Sequence, residues 1–304
     1  MRIIDIAALP QTSVLVIHGG AGGVVDEFSM QEQGLYSSGL ASAYRAGESI
    51  LAAGGTALDA VCAAVEQLEN NPLFNAGRGA ALTAHGDVEL DASVMSGCGD
   101  AGAVAVSRWA KNPILMARKV MEDTEHVLLV APSKELVLDW GLEVASADYF
   151  VTEARQEQLR NVRSGQLMGS RHGTVGAVAL DRDGHLAAAT STGGMVNQYE
   201  GRVGDTPLTG AGTYAHDGIV GVSCTGDGEA FIQGVVAHEI YARMRYGHAT
   251  LSHAVAETIV SELGPREATG GVIAIGSDGR LVIAHNSPGM FAAYKDADEL
   301  VTLA

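Results

Sequence analysis

GTVGAVALDRDGHLAAATSTGG, residues 173–194, decides how the chain is read. Residues 174–180 and 186–192 are small, apolar or β-branched, and Asp183-Gly184 between them is a tight-turn signal, so the stretch predicts a β-hairpin. Thr174 opens its first strand, and Thr190, Ser191 and Thr192 close its second before Gly193-Gly194. Immediately upstream, EARQEQLRNVRSGQLMGSRHG (153–173) loses apolar periodicity midway and predicts a short helix followed by a mobile linker at about 163–173.

Working outward, GGVIAIGSDGRLVIAHN (270–286) predicts a second hairpin turning at Asp278-Gly279. A strand over 219–224 and helices over about 228–246 and 251–263 lie between the hairpins. In the first half, strands over 14–17, 101–106 and 127–130 alternate with helical periodicity over 57–68, 113–121 and 135–144. Hairpins covered by helices predict an α+β fold, a layered αββα sandwich, in preference to a doubly wound parallel sheet.

Composition narrows the partners. With 19 basic and 36 acidic residues the net charge is −17, which repels phosphate backbones and argues against nucleic acid. No apolar run approaches the roughly 20 residues that span a bilayer, and Asp5 interrupts the apolar N-terminal stretch, unlike a secretory segment. A cytoplasmic protein is expected. Cys62, Cys98 and Cys224 are odd in number, widely spaced and outside any CxxC, so they read as reduced thiols.

HGGAGG (18–23) follows an apolar strand, but Val25 breaks the dinucleotide fingerprint and no GK[ST] follows. It reads as a turn that lets two backbones approach closely, compatible with lining an active site. HExxH and GxSxG are absent, and His172, His216, His238 and His248 have no partner at ligand spacing. What remains are hydroxyls among small residues: Thr174, Thr190 to Thr192, and Thr225 before Gly226. An N-terminal threonine can use its own α-amino group, of pKa about 7.7 to 8.0, as the base that activates its hydroxyl. This requires cleavage of the 173–174 bond. Threonine also opens strands through β-propensity alone, and both readings stand on the residues.

The long run from GTVGAVALD to GRVGDTPLTGAG, with SCTGDGE downstream and LFNAGRGA upstream, resembles the plant-type L-asparaginase/isoaspartyl aminopeptidase family of N-terminal nucleophile hydrolases. The similarity extends in order from HGGAG to NSPGM. It implies the αββα fold and a precursor cut between Gly173 and Thr174 into an α subunit (1–173) and a β subunit (174–304), together one domain. Thr174 would be the nucleophile, Thr192 its hydrogen-bonding neighbour, and Thr225 with the Gly226 amide the oxyanion hole. Arg202, Asp205, Gly226, Gly228 and Asn75 would bind a substrate such as an isoaspartyl dipeptide or L-asparagine. The resemblance further implies no organic cofactor, a dimer of αβ units, and a sodium ion on the main-chain carbonyls of Leu68, Glu69, Asn71, Phe74, Ala76 and Arg78. Alternatives of the same fold are a glycosylasparaginase-like hydrolase and a silent amino-acid-binding protein. Two departures stand out: Asp227 adds a charge beside the oxyanion amide, and alanine occupies 292 and 293 where the family commonly has arginine.

Overall fold

The computed structural model of the protein describes residues 1–7, 13–22, 28–166 and 173–304. Its elements run β1 (Arg2–Ile6), β2 (Val14–Ala21), α1 (Met30–Ala52), α2 (Ala57–Asn70), β3 (Leu90–Ser96), β4 (Ala101–Ser107), α3 (Pro113–Asp123), β5 (Leu128–Val130), α4 (Lys134–Asp139), α5 (Ala147–Phe150) and α6 (Glu153–Arg163). Then follow β6 (Thr174–Leu180), β7 (Leu186–Thr192), β8 (Thr213–His216), β9 (Val220–Gly226), α7 (Gly228–Gly234), α8 (Val236–Arg245), α9 (Leu251–Thr258), β10 (Gly270–Gly276), β11 (Leu281–His285), β12 (Met290–Asp296) and β13 (Glu299–Leu303).

The strands form two sheets, ordered β1-β11-β10-β9-β8 and β13-β12-β2-β6-β7-β3-β4-β5. The predicted hairpins are β6-β7 and β10-β11, both antiparallel and in the register their turns dictate. Because strand side chains alternate between faces, each sheet buries two apolar surfaces. Leu15, Ile17, Val175, Ala177, Ala187 and Ala189 of the larger sheet pack with residues of α1, α2 and α3. Val16, Val178, Leu186 and Ala188 meet Ile273, Ile275 and Ile283 of the smaller sheet, whose other face, including Val222, Val272 and Val282, packs on α7 to α9.

Local chemistry fixes the helix starts. Ser29 and Glu32 form a reciprocal capping box on α1. The Asp181 carboxylate, at the β6-β7 turn, accepts from the Ala57 N–H at 3.0 Å and so ties that hairpin to the first turn of α2.

Several sequence expectations need correction. The helix expected over 135–144 ends at Asp139, because Gly141 turns left-handed at φ 68° and Lys111 N–H pairs back to the Glu143 carbonyl. The helix expected over 228–246 is two, broken where Val235 is left-handed at φ 45°. The one over 251–263 passes at Ile259 into a π-helical turn. The helix expected after 153 is present as α6; the linker that follows falls mostly on 167–172, outside the described residues. The 23-residue α1 was not foreseen: three glycines and several serines dilute its apolar stripe. Among the described residues, no helix is long and apolar enough to cross a membrane, and Cys62, Cys98 and Cys224 are unpaired thiols.

Candidate active site

At one end of the layer between the sheets the apolar alternation gives way to hydroxyls. His18 on β2, Ser93 on β3, Thr174 on β6, Thr190 and Thr192 on β7, Thr213 on β8 and Ser223 and Thr225 on β9 are all buried. Five of them, His18, Ser223, Thr190, Thr213 and Ser93, form one hydrogen-bonded chain. His18 Nε2 lies 2.9 Å from Ser223 Oγ, which is 2.8 Å from Thr190 Oγ1. Thr213 Oγ1 donates to Thr190 Oγ1 at 2.5 Å and accepts from Ser93 Oγ at 2.7 Å. Burial lowers the His18 pKa to about 3, so the ring is neutral. A side chain on Gly176 would collide with Ser223 Oγ and His18 Nε2.

The Gly173-Thr174 peptide lies at the edge of this network. Thr174 Oγ1 donates to Thr192 Oγ1 at 3.1 Å, and Thr192 Oγ1 donates in turn to the Gly173 carbonyl at 3.2 Å. Asn75 Nδ2 donates to the same carbonyl at 2.6 Å and to the Gly194 carbonyl at 2.7 Å, while its Oδ1 accepts from the Ala81 N–H at 2.6 Å. Asn75 is thereby fixed from three sides, and two donors converge on one carbonyl oxygen. The glycine-rich stretch expected to be a turn is, through Ala21, the end of strand β2, and it lies against this peptide: a Cβ on Gly20 (φ 115°) would sit 2.9 Å from Gly173 Cα and 3.3 Å from Thr174 N. The next residue, Ala21, donates its N–H to Thr225 Oγ1 at 3.1 Å, an arrangement that leaves the Thr225 O–H to donate. Close approach is what the glycines permit.

A charged recess lies beyond β9. Arg202 donates from Nε and Nη2 to the two carboxylate oxygens of Glu229 at 3.0 and 2.9 Å. Asp205 is buried, its Oδ2 has no hydrogen-bond partner among the described residues, and burial raises its pKa to about 7 against the pull of Arg202. A Cβ on Gly228 would sit 2.7 Å from Arg202 Nη2 and 2.9 Å from Asp205 Oδ1, so glycine here lets the start of α7 approach both groups closely. The loop carrying them is held by two carboxylates at the start of β3: Glu89, just before the strand, accepts from Gly201 N–H at 2.8 Å, and Asp91, on it, from Gly204 N–H at 3.2 Å.

This ordering of motifs has relatives. The sequence profile of the family described as Asparaginase matches residues 11–304. The chain belongs to the asparaginase family. It is 44% identical to an isoaspartyl peptidase of Salmonella typhimurium, covering 95% of this chain and 97% of that one. Against an isoaspartyl peptidase of Escherichia coli it is 43% identical, with 95% of each covered. An isoaspartyl peptidase/L-asparaginase of Rattus norvegicus is 40% identical over 95% of this chain and 88% of its own.

Within this asparaginase-family chain the two departures are accommodated. The Asp227 carboxylate is turned onto Thr269, accepting from its N–H at 2.6 Å and its hydroxyl at 3.3 Å. Ala292 and Ala293 are fully buried on β12, paired with His18 and Ile17 of β2, where a long charged side chain has no room. Two carboxylates that place the site, Glu89 and Asp91, belong to no motif the sequence singles out, and His18 was legible only as part of the glycine-rich stretch. An acid inside the otherwise apolar strand LDASVM was the available signal for Asp91. His216 and His238 are packed against Tyr241 and serve the core.

Proposed function

We propose that the protein is a self-processing amidohydrolase with the four-layer αββα fold of N-terminal nucleophile hydrolases. It cleaves β-aspartyl peptides and L-asparagine to release L-aspartate. The observation that carries this is the hydroxyl chain from Thr174 through Thr192 to the Gly173 carbonyl. In processing, Thr174 Oγ attacks the Gly173 carbonyl carbon. Its proton passes to Thr192 Oγ1 as the Thr192 proton moves to the developing oxyanion, which Asn75 Nδ2 also holds. The C–N bond then breaks, the nitrogen takes a proton to become the Thr174 α-amine, and water hydrolyses the resulting ester. The products are residues 1–173 and 174–304.

In turnover the freed amine is the base. Thr174 Oγ attacks the side-chain carbonyl, with the Thr225 hydroxyl and Gly226 amide donating to the oxyanion, each such donor contributing about 3 kcal/mol. The leaving amine departs with a proton, and water releases aspartate from the threonyl ester. Arg202 grips the substrate α-carboxylate and Asp205 the α-ammonium, which supplies the missing partner of Asp205 Oδ2. An adjacent cation favours the charged form of such a buried carboxylate.

The loop around Asn75 fits a sodium ion by its donors, all neutral main-chain oxygens as hard cations accept. The carbonyls of Leu68, Glu69 and Asn71 each accept a backbone N–H, leaving a second lone pair. A Cβ on Gly77 would press on the Glu69 carbonyl, and one on Gly79 on the Pro72 and then the Phe74 carbonyl. Carbonyls of Leu68, Glu69, Asn71, Phe74, Ala76 and Arg78 would hold the ion, which would stiffen the loop presenting Asn75.

Mass spectrometry of purified protein incubated at neutral pH, alongside aspartate release from a β-aspartyl dipeptide, tests the proposal. Wild type is expected to cut between Gly173 and Thr174 and then to release aspartate, whereas Thr174→Ala stays full length and inactive. A full-length chain that hydrolyses the dipeptide would overturn the mechanism.

A further inference from the structure

The guanidinium of Arg202 has five N–H groups in one plane, and the structure commits two of them. Nε and Nη2 donate in parallel to Glu229, a residue of the first turn of α7 directly after Gly228. Arg202 is 15% exposed at its side chain and Glu229 58%, so the pair is seated at the rim with the guanidinium inside. The opposite, end-on edge is formed by Nη1 and the second hydrogen of Nη2. Two glycines approach that edge without side chains: a Cβ would stand 2.9 Å from Nη1 at Gly204 and 2.7 Å from Nη2 at Gly228. Asp205 Oδ1 is 2.9 Å from the same Gly228 Cβ position.

A guanidinium held by one edge has little rotational freedom left, because the side-on pair fixes both its plane and the direction of its other edge. We propose that Glu229 is a positioning residue for substrate recognition. It holds Arg202 from behind so that the Nη1/Nη2 edge faces Gly204 and Gly228. The α-carboxylate of a β-aspartyl substrate docks end-on there, with its α-ammonium on Asp205. This rests on the reading of Arg202 and Asp205 given above. The cost is a carboxylate near an anionic ligand; the gain is a fork already oriented before substrate arrives, which removes ordering entropy from binding. An aspartyl unit lacking the free α-carboxylate would not benefit from the arrangement.

The test is steady-state kinetics of processed enzyme on a β-aspartyl dipeptide, comparing wild type with Glu229→Gln and Glu229→Asp. Loss of one charged partner of a bidentate pair is expected to raise KM roughly tenfold in Glu229→Gln, with kcat changed less than about twofold. The thermal midpoint and the extent of processing should hold at wild-type values. Glu229→Asp should fall between. In an Arg202→Lys background, which lacks the Nε/Nη2 edge, Glu229→Gln should add no further KM effect. A lower KM in Glu229→Gln would mean that Glu229 competes with substrate for Arg202, and an unchanged KM that the pair is only a surface ion pair; either overturns the proposal. So does a parallel fall of kcat, processing and thermal midpoint, the signature of a structural role. Wild-type enzyme that does not turn over the dipeptide would instead refute the underlying functional reading.

Discussion

Replacing Thr192 by valine isolates the hydroxyl through which self-cleavage is argued to run. Valine keeps the β-branched shape inside β7, so packing is retained at a site 3% exposed. Three interactions go: the acceptor for Thr174 Oγ1 at 3.1 Å, the donor to the Gly173 carbonyl at 3.2 Å, and the acceptor for the Gly194 N–H at 3.1 Å. The last lowers stability by about 1 to 3 kcal/mol, because a buried N–H is left unpaired. The first two bear on the reaction. A lost donor to a developing oxyanion costs about 2.7 to 4 kcal/mol, or roughly 100- to 1,000-fold in rate. Asn75 Nδ2, at 2.6 Å from the same oxygen, remains and keeps the loss from being total. A time course of intact mass at neutral pH reads the cleavage rate directly, and circular dichroism confirms folding. Thr192→Ser, which restores the hydroxyl, should recover most of the rate. If the valine variant folds and cuts itself as fast as wild type, the proton path through Thr192 is wrong.

Two further outcomes follow from the buried network and from the core. Gly176→Ala puts a methyl group against Ser223 Oγ and His18 Nε2; overpacking of this kind costs about 1 to 3 kcal/mol, measurable as a lower thermal midpoint, and a midpoint equal to wild type would show that the sheets can part there. Glu69, which accepts from Ser191 Oγ at 2.6 Å, Ile114 N–H at 2.9 Å and Asn112 Nδ2 at 3.1 Å, has its pKa raised by burial to about 8. In the folded chain it therefore stays protonated up to about pH 8, whereas unfolded it ionises near 4.5. The folded state holds the extra proton in that window, so wild-type stability should fall relative to Glu69→Gln as pH rises from about 5 to 8. Denaturant titrations across that range check it, and a constant difference between the two proteins would count against a buried neutral acid.

Sequence alone was sufficient wherever the determining interaction is local. The β6-β7 and β10-β11 hairpins follow from Asp-Gly turns flanked by alternating residues, and α2 and α3 from 3.6-residue periodicity with a capping threonine or an N-terminal proline. The motif order likewise fixed the family, since it is a property of the string. Tertiary structure decided what depends on residues far apart in the chain meeting. His18 and Ser223 are 205 positions apart, and Asn75 and Gly173 are 98. No periodicity encodes such pairs, because their proximity is set by how β2, β6 and β9 face one another across two sheets. The same reason hid Glu229: it reads as a solvated acid of a helix's first turn. Only the folded chain brings it to the guanidinium of Arg202, 27 residues earlier, where the pairing of two edges of one planar cation becomes visible.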